Sequence, residues 1–280
     1  MVCSVYGMTD PNQLAYLQAM GIPVWVSREL VVDELVTGPD QDGEASPCAD
    51  SASDILHALD EKRSASLPHQ EKKKTTESPA TATFKTPDCS TLDWQSLQKT
   101  VATCQLCDLH KSRTQTVFGH GNPQANWMVV GEAPGVEEDR QGLPFVGRAG
   151  QLLTNMLAAI GLMRDEVYIA NVLKCRPPNN RDPKPEEAMA CSAYLQRQFE
   201  LVEPKIILVV GRVAAQNLLN TREPLARLRG RVHRLPDRDI PVVVTYHPAY
   251  LLRKPVDKRK AWDDLKLAFS LMNSLMNKKS

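Results

Sequence analysis

Short, strongly apolar runs alternate with stretches of helical periodicity through the second part of the sequence. Four runs have the length and the β-branched composition of buried strands. They span residues 127–130, 167–175, 205–211 and 241–247. Because each is followed by a helical pattern, we predict an α/β fold, with a doubly wound sheet of about four parallel strands and helices on both faces.

The first run leads into a long stretch rich in glycine and proline, which ends at a helix near Ala149. α/β proteins build ligand sites from a strand, a glycine-rich loop and a helix in this order. The loop contains three carboxylates, Glu137, Glu138 and Asp139, and one aromatic side chain, Phe145. Loops of this length are usually functional, although a surface loop with solvated acids is the simpler alternative.

Parallel strands place the loops that follow them at one edge of the sheet. We therefore expect the segments around Glu132, Asn171 and His247 to converge. Phe145 offers a face for stacking a planar ring, and Asn171 offers a donor and an acceptor for the imide edge of a pyrimidine. His247 offers a hydrogen bond to an oxygen that gains charge as a bond breaks. Singly these are weak signals, but together they predict a base-binding pocket.

Seven cysteines in a chain without a secretory signal favour metal or redox chemistry over disulfides. Four of them form the candidate metal site: Cys104, Cys107, Cys175 and Cys191. A Cys-x-x-Cys pair binds one metal centre with little strain, and two further thiolates complete a tetrahedral or cubane site. All-sulfur ligation suits both zinc and an iron–sulfur cluster, so the spacing leaves this choice open. A redox pair, with Cys191 as a buried helix residue, is another alternative.

After the last strand, apolar residues stand next to basic ones. Candidate DNA contacts are Leu251, Leu252, Arg253, Lys254 and, beside the cysteines, Arg176. The leucines could form a wedge that replaces an extruded base, with the basic side chains on phosphates. A surface turn with both leucines packed inward is an equally good interpretation.

Charge and composition divide the chain further. Residues 1–100 carry 8 Lys and Arg against 15 Asp and Glu, whereas residues 101–280 carry 26 against 18. A basic domain behind an acidic arm suggests a polyanionic partner. No run is long enough to span a membrane and no signal segment begins the chain, so we expect a cytosolic protein.

Three parts of the chain are predicted. Residues 1–37 form a short helical docking segment that is too small to bury its own apolar face. Residues 38–91 are rich in Ser, Ala, Thr, Pro and charged residues, and cannot bury enough surface to offset their ordering entropy. They are predicted to be a disordered linker in which Cys89 is a plain thiol. Residues 92–280 form the folded domain.

The motifs of the folded domain resemble those of one family. They are Gly131-Glu-Ala-Pro-Gly135 with Pro144-Phe-Val-Gly-Arg-Ala-Gly150, Asn171-Val-Leu-Lys-Cys-Arg-Pro-Pro178, and His247-Pro-Ala-Tyr-Leu-Leu-Arg253. Over about residues 92–275 they resemble the family 4 uracil-DNA glycosylases, the iron–sulfur branch of that superfamily. The resemblance implies a uracil-DNA glycosylase-like fold and a monofunctional N-glycosyl hydrolase, which hydrolyses the N-glycosidic bond of deoxyuridine in base excision repair.

The resemblance implies an enzyme that releases uracil from DNA and leaves an abasic site, and we expect this enzyme to act as a monomer. It implies a 4Fe-4S cluster on the four cysteines. It also implies that uracil stacks on Phe145 and is read by Asn171, while His247 serves the leaving base. Uracil-containing DNA is then the partner, and a bacterial cytosolic, nucleoid-associated location follows.

The resemblance also bears on mechanism. Family 1 enzymes have a Gln-Asp-Pro-Tyr motif whose Asp positions water, and the matching stretch here has Ala133 in place of that Asp. We therefore predict a dissociative reaction, in which His247 and backbone donors near Gly131 stabilise the uracil anion. Glu132 and Glu138 are the candidates for positioning water.

The docking segment has a second resemblance. Residues 17–28 contain a Leu-Gln-x-x-Gly-Ile-x-x-Trp pattern similar to the amino terminus of the psi subunit of the bacterial DNA polymerase III clamp loader. It implies that residues 12–28 dock to the chi subunit or to another replication protein. Two alternatives to a free enzyme therefore stay open: a non-catalytic iron–sulfur DNA-binding protein, and a replication-fork adaptor that acts through this segment.

Overall fold

A computed structural model describes residues 86–236 and 238–277 of the chain. The predictions for residues 12–28 and for most of the linker lie outside these residues. The strands are β1 (His120–Gly121), β2 (Trp127–Gly131), β3 (Val167–Asn171), β4 (Ile206–Val210), β5 (Val232–Arg234) and β6 (Pro241–Thr245). The helices are α1 (Trp94–Ala102), α2 (Val136–Gln141), α3 (Arg148–Ala158), α4 (Pro185–Val202), α5 (Arg212–Leu218), α6 (Leu225–Leu228), α7 (Pro248–Arg253) and α8 (Lys258–Asn277). Single 3-10 turns lie at Asp108–Lys111, Pro178–Asn180 and Pro255–Asp257.

The six strands form one sheet in the order β1-β3-β2-β4-β6-β5. The four central strands are parallel, which confirms the predicted doubly wound sheet. The two outer strands, β1 and β5, pair antiparallel with their neighbours and were not predicted. They are two and three residues long and partly exposed, so neither has the continuous apolar run that marks a buried strand.

Two apolar layers cover the sheet, because alternate residues of each central strand point to opposite faces. One layer packs Met128 and Val130 of β2 against α1, α4 and α5. The other packs Trp127 and Val129 of the same strand against α3 and α8. Every residue of the four central strands is buried, which explains their uninterrupted apolar composition.

The predicted second strand is too long. β3 ends at Asn171, whereas the apolar run continues to Cys175. The residues beyond the strand stay buried, because Val172 and Leu173 donate backbone hydrogen bonds to the carbonyls of Gly131 and Glu132. Apolar composition reports burial, and in this segment burial continues after the strand has ended.

Two predicted loops contain helices. α2 lies inside the glycine-rich loop, and its first turn holds the three acids, where the helix dipole favours negative charge. α7 forms from the segment after His247, with Pro248 at its first position.

Cys89, assigned to the linker, is in fact buried in the core. Among the described residues no helix is long and apolar enough to cross a bilayer.

The chain order places a ligand site at one edge of this sheet. From β2 the chain moves to β3 on one side and then to β4 on the other side. Such a change of direction leaves a crevice at the carboxyl ends of the strands, where α/β proteins bind ligands.

Candidate active site and cysteine cluster

The ends of β2 and β3 bring three predicted residues together. Gly131 and Asn171 are register partners across these strands. A Cβ atom on Gly131 would lie 2.4 Å from Asn171 Oδ1 and 2.6 Å from Cζ of Phe145. Gly131 therefore contributes space, since any side chain there would collide with both neighbours. His247 lines the same cleft, and its ring centroid lies 5.7 Å from that of Phe145.

Asn171 has an unusual feature for a buried polar residue. Its side chain is 2% exposed, and Oδ1 has no hydrogen-bond partner among the described residues. Buried polar atoms are nearly always hydrogen-bonded, and an unpaired acceptor costs about 1–3 kcal/mol. An unpaired acceptor in the wall of a cleft therefore indicates a ligand that brings a donor, as the imide N–H of a pyrimidine does.

Phe145 is held in a strained backbone conformation. Its φ angle is 53°, which is uncommon for a bulky residue and persists only where the surroundings impose it. Gly150 packs directly against this backbone, because a Cβ atom there would lie 1.8 Å from the carbonyl oxygen of Phe145. Such strain at a cleft is consistent with a ring that is fixed in place before a ligand arrives.

Two charged side chains hold the residues on either side of Phe145. Arg164 donates a 2.5 Å hydrogen bond to the carbonyl oxygen of Pro144. Glu138 Oε1 accepts a 3.1 Å hydrogen bond from the backbone N–H of Val146. Arg164 was not predicted as a site residue, because nothing in its local sequence pattern connects it with a loop twenty residues earlier.

The three acids of the predicted loop all have structural contacts. Glu138 Oε2 accepts from the N–H of Gly135, so both of its oxygens hold the loop together. Asp139 accepts from the N–H of Thr114, and the exposed Glu137 pairs with a neighbouring arginine. Glu138 is therefore poorly placed to orient water, which leaves Glu132 as the better of the two predicted candidates.

We expect Arg164→Met to lower kcat/KM for a base that stacks on Phe145 by about tenfold, since one hydrogen bond to a charged group is worth about 1.5–3 kcal/mol. Steady-state kinetics on a substrate oligonucleotide would measure the change. Arg164→Lys keeps a donor and should lose less. Equal losses in both variants, or none in either, would contradict this role of Arg164.

His247 is a neutral hydrogen-bond donor. Burial, and then the charge of Arg253, lower the pKa of His247 to about 4. Its Nδ1 lies 3.1 Å from the backbone N–H of Ala249 and accepts that hydrogen bond as the N-cap of α7. Since Nδ1 is the acceptor, the single ring proton is on Nε2. The helix cap thus fixes the tautomer that can donate into the cleft.

Glu132 also lines the cleft, and its carboxyl group titrates near neutral pH. Burial and the nearby charge of Asp182 raise the pKa of Glu132 to about 7, and Arg212 opposes this rise. A carboxylate with this pKa can accept a proton from water near neutral pH.

The predicted DNA-contacting residues differ in their exposure to solvent. Leu251 is fully buried in the layer beneath the sheet, so the prediction of a wedge built from both leucines is corrected. The prediction assumed that this segment is a loop, but the segment is a helix, and the helix places Leu251 on its buried face. Leu252, Arg253 and Lys254 are exposed, whereas Arg176 is half-buried and donates to Asn180 Oδ1.

All four predicted cysteines line a single small, mostly apolar cavity. Burial raises the pKa of the Cys175 thiol, and Cys107 and Cys104 raise it further. Burial also raises the pKa of Cys191 to about 12, with added contributions from Cys175 and Cys104. The thiols therefore share one environment, which brings together segments far apart in the sequence.

The donor chemistry of this cavity suits an iron–sulfur cluster. Arg113 donates a 3.0 Å hydrogen bond to Cys175 Sγ, and the N–H of Lys174 donates to Cys191 Sγ at 3.3 Å. Such donors stabilise metal-bound thiolates. No three His, Cys, Asp or Glu side chains of the described residues are arranged to hold a single metal ion.

Comparisons with known proteins identify the family. The model of the uracil DNA glycosylase superfamily matches residues 118–266. The type-4 uracil-DNA glycosylase of Archaeoglobus fulgidus is 48% identical over 172 residues, which cover 59% of this chain and 86% of that protein. The type-4 enzyme of Pyrobaculum aerophilum is 41% identical over 184 residues, covering 64% and 94%. That of Thermotoga maritima is 45% identical over 155 residues, covering 55% and 80%.

These matches confirm the family that the motifs resemble. The superfamily match includes the cleft residues from Gly131 to His247 and the later two cysteines, Cys175 and Cys191. The chain belongs to the uracil-DNA glycosylase superfamily and, within it, to the type-4 uracil-DNA glycosylases.

Proposed function

We propose that this enzyme hydrolyses the N-glycosidic bond of deoxyuridine in DNA within the cleft formed by Phe145, Asn171 and His247. It releases uracil and leaves an abasic site, which is a step of base excision repair. The observation that carries the proposal is the buried, unpartnered Asn171 Oδ1 in the wall of that cleft. The matched relatives support the same activity, since each is named a type-4 uracil-DNA glycosylase.

Base recognition follows from donors and acceptors. The target nucleotide leaves the duplex, and its base stacks on Phe145. Asn171 Oδ1 accepts from the imide N–H of uracil, while its amide group donates to a ring carbonyl. Cytosine has an acceptor where uracil has the imide donor, so the same amide rejects it.

Bond cleavage is dissociative in this proposal. The C1′–N1 bond breaks with its electron pair leaving on uracil, whose carbonyl oxygen gains negative charge. His247 Nε2–H donates to that oxygen. Because a neutral imidazole is a very weak acid, the proton stays on Nε2, and uracil leaves as an anion that takes its proton from solvent. Water adds to the cationic sugar, and Glu132 accepts the proton that the water loses.

The role of Glu132 predicts a pH dependence. Above pH 7 the carboxylate is ionised and can accept a proton; as the pH falls below its pKa of about 7, kcat should fall about tenfold per unit. Glu132→Gln should lower kcat and abolish this slope. His247, with a pKa of about 4, stays neutral throughout this window.

Asp182→Asn provides the matched control for the pH profile. Asp182 raises the pKa of Glu132 through its negative charge, and it lies in an ion pair with Arg212. Removal of this charge should move the inflection to lower pH without abolishing it. A Glu132→Gln profile that keeps the slope would show that another group titrates.

Cleavage of labelled oligonucleotides tests the activity itself. Substrates with one uracil, single-stranded or opposite adenine or guanine, are incubated with enzyme and then treated with alkali. We expect strand breaks at uracil with the wild type and far fewer with Asn171→Ala. Retained DNA binding without breaks in any context would favour the non-catalytic alternative.

DNA contacts are proposed for the exposed residues after β6. Arg253 lines the cleft, and with Lys254 it would contact phosphates. The half-buried Arg176, which follows β3, is a further candidate for such a contact. Leu252 is the remaining predicted apolar contact at the gap left by the extruded base, since Leu251 is buried.

A 4Fe-4S cluster is proposed for the thiols Cys104, Cys107, Cys175 and Cys191. Their common cavity and the hydrogen bonds donated to the sulfurs of Cys175 and Cys191 support it. When bound, the cluster supplies cross-links among the loop after α1, the segment after β3 and α4.

The remaining proposals concern the roles of residues 1–91 and the location of the enzyme in the cell. Residues 1–37 dock to the chi subunit or another replication protein, the part of the linker that precedes the buried Cys89 connects them to the enzyme, and the monomeric enzyme works in the bacterial cytosol at the nucleoid. The psi-like pattern at residues 17–28 supports the docking role. In a pull-down with purified chi, deletion of residues 1–37 should abolish binding but retain glycosylase activity; absence of binding by the full chain would exclude chi.

A further inference from the structure

Lys174 is a buried lysine located between the base reader and the cysteines. Its side chain is 1% exposed. Its ammonium donates to the backbone oxygen of Asn171 at 2.9 Å and to Gln198 Oε1 at 2.6 Å. Both acceptors are neutral, and a buried charge is costly unless it is paired.

The ionisable groups near Lys174 are the cysteine thiols. No carboxylate of the described residues forms an ion pair with it; burial lowers the pKa of Lys174 to about 8, and Cys191 and Cys175 oppose this decrease. Lys174 also lines the cavity that holds all four cysteines. A 4Fe-4S cluster with four thiolates carries net negative charge, and would be the missing partner of this ammonium.

We propose that Lys174 is a positioning residue that offsets the charge of the iron–sulfur cluster and holds the carbonyl of Asn171, thereby linking the cluster to base recognition. This inference rests on the proposed cluster. The link has one residue at its centre, since the backbone N–H of Lys174 donates to Cys191 Sγ at the cavity and its ammonium donates to the carbonyl at the end of β3.

Gln198 fixes the ammonium in this position. Its Nε2 donates to the carbonyl of Phe118 at 2.9 Å and to the hydroxyl of Tyr168 at 3.0 Å, so its oxygen is directed at Lys174. All members of this network are buried. Lys174 therefore cannot move without leaving buried groups unsatisfied.

The test uses the full-length holoenzyme, purified without oxygen, with Lys174 replaced by Met, Gln or Arg. Loss of the positive charge should shift the cluster reduction potential to more negative values in Lys174→Met and Lys174→Gln. Lys174→Arg should stay near the wild type. Protein-film voltammetry measures the potential, a property that a purely structural role would not move in parallel with charge.

Activity provides the second readout. Lys174→Met loses the hydrogen bond to Asn171 and should lower kcat/KM for uracil about tenfold. Lys174→Gln keeps a donor and should lose less. The exposed Lys266, paired with Asp263 on α8, supplies the control variant Lys266→Met, which should change neither readout.

Each outcome is decisive. Cluster loading in Lys174→Arg but not in the two neutral variants would support the proposal, as would the expected shifts. A loaded Lys174→Met or Lys174→Gln with the wild-type potential would overturn the role of Lys174 and leave the cluster proposal intact. Wild-type protein without iron and inorganic sulfide would overturn both.

Discussion

Replacement of His247 by alanine should lower kcat for uracil excision about a hundredfold or more. The variant removes a donor aimed at the oxygen that gains charge as the base leaves, and one such donor is worth about 2.7–4 kcal/mol. Because the interaction strengthens in the transition state, kcat should fall more than KM changes. Single-turnover kinetics on a uracil oligonucleotide would measure the chemical step directly.

Two variants control for this loss. His247→Gln keeps an N–H donor and should recover part of the rate. His233→Ala removes another half-buried histidine, which contacts the carbonyl of Leu228 and lies outside the cleft. Near-normal turnover in a folded His247→Ala enzyme would remove His247 from the mechanism.

The second large effect is expected for Asn171→Asp. The substitution retains the size of the side chain but removes the amide donor and places a carboxylate in a buried site that faces a base gaining negative charge. The lost hydrogen bond and the repulsion between the carboxylate and the base should together cost about 3 kcal/mol, so kcat/KM for uracil should fall at least about a hundredfold. Competition between uracil-containing and uracil-free oligonucleotides would measure the lost discrimination.

Asn217→Asp is the matched control, because Asn217 is exposed on α5 and donates only within its own helix. It should leave kcat/KM unchanged. Unchanged activity of Asn171→Asp on uracil would refute Asn171 as the base reader, whatever the stability of the variant.

Strand-end residues were the most predictable part of the site. Once the four parallel strands are recognised, their carboxyl ends must lie at one edge. The placement of Asn171 and His247 in one cleft follows from that rule alone. Phe145 could be predicted for a different reason, since its loop is bounded by a recognisable strand and helix.

Contacts made through three-dimensional packing were not predictable. Leu251 and Leu252 have the same chemistry, and only the geometry of α7 decides which is buried. Arg164 and Lys174 act through backbone carbonyls, which are identical in every residue and leave no sequence signal. Glu138 was expected to orient water, but its oxygens are occupied by backbone N–H groups that no pattern reveals.

The short outer strands of the sheet have a consequence for how the molecule behaves at high concentration. An exposed strand edge can pair with another chain and seed aggregation, and this risk grows with its length and flatness. β1 offers two residues to an incoming strand, and β5 offers three, including His233 and Arg234. These strands shield the longer, apolar β3 and β6 from intermolecular pairing. A sheet built almost wholly of buried residues can therefore end at the surface without becoming prone to aggregation.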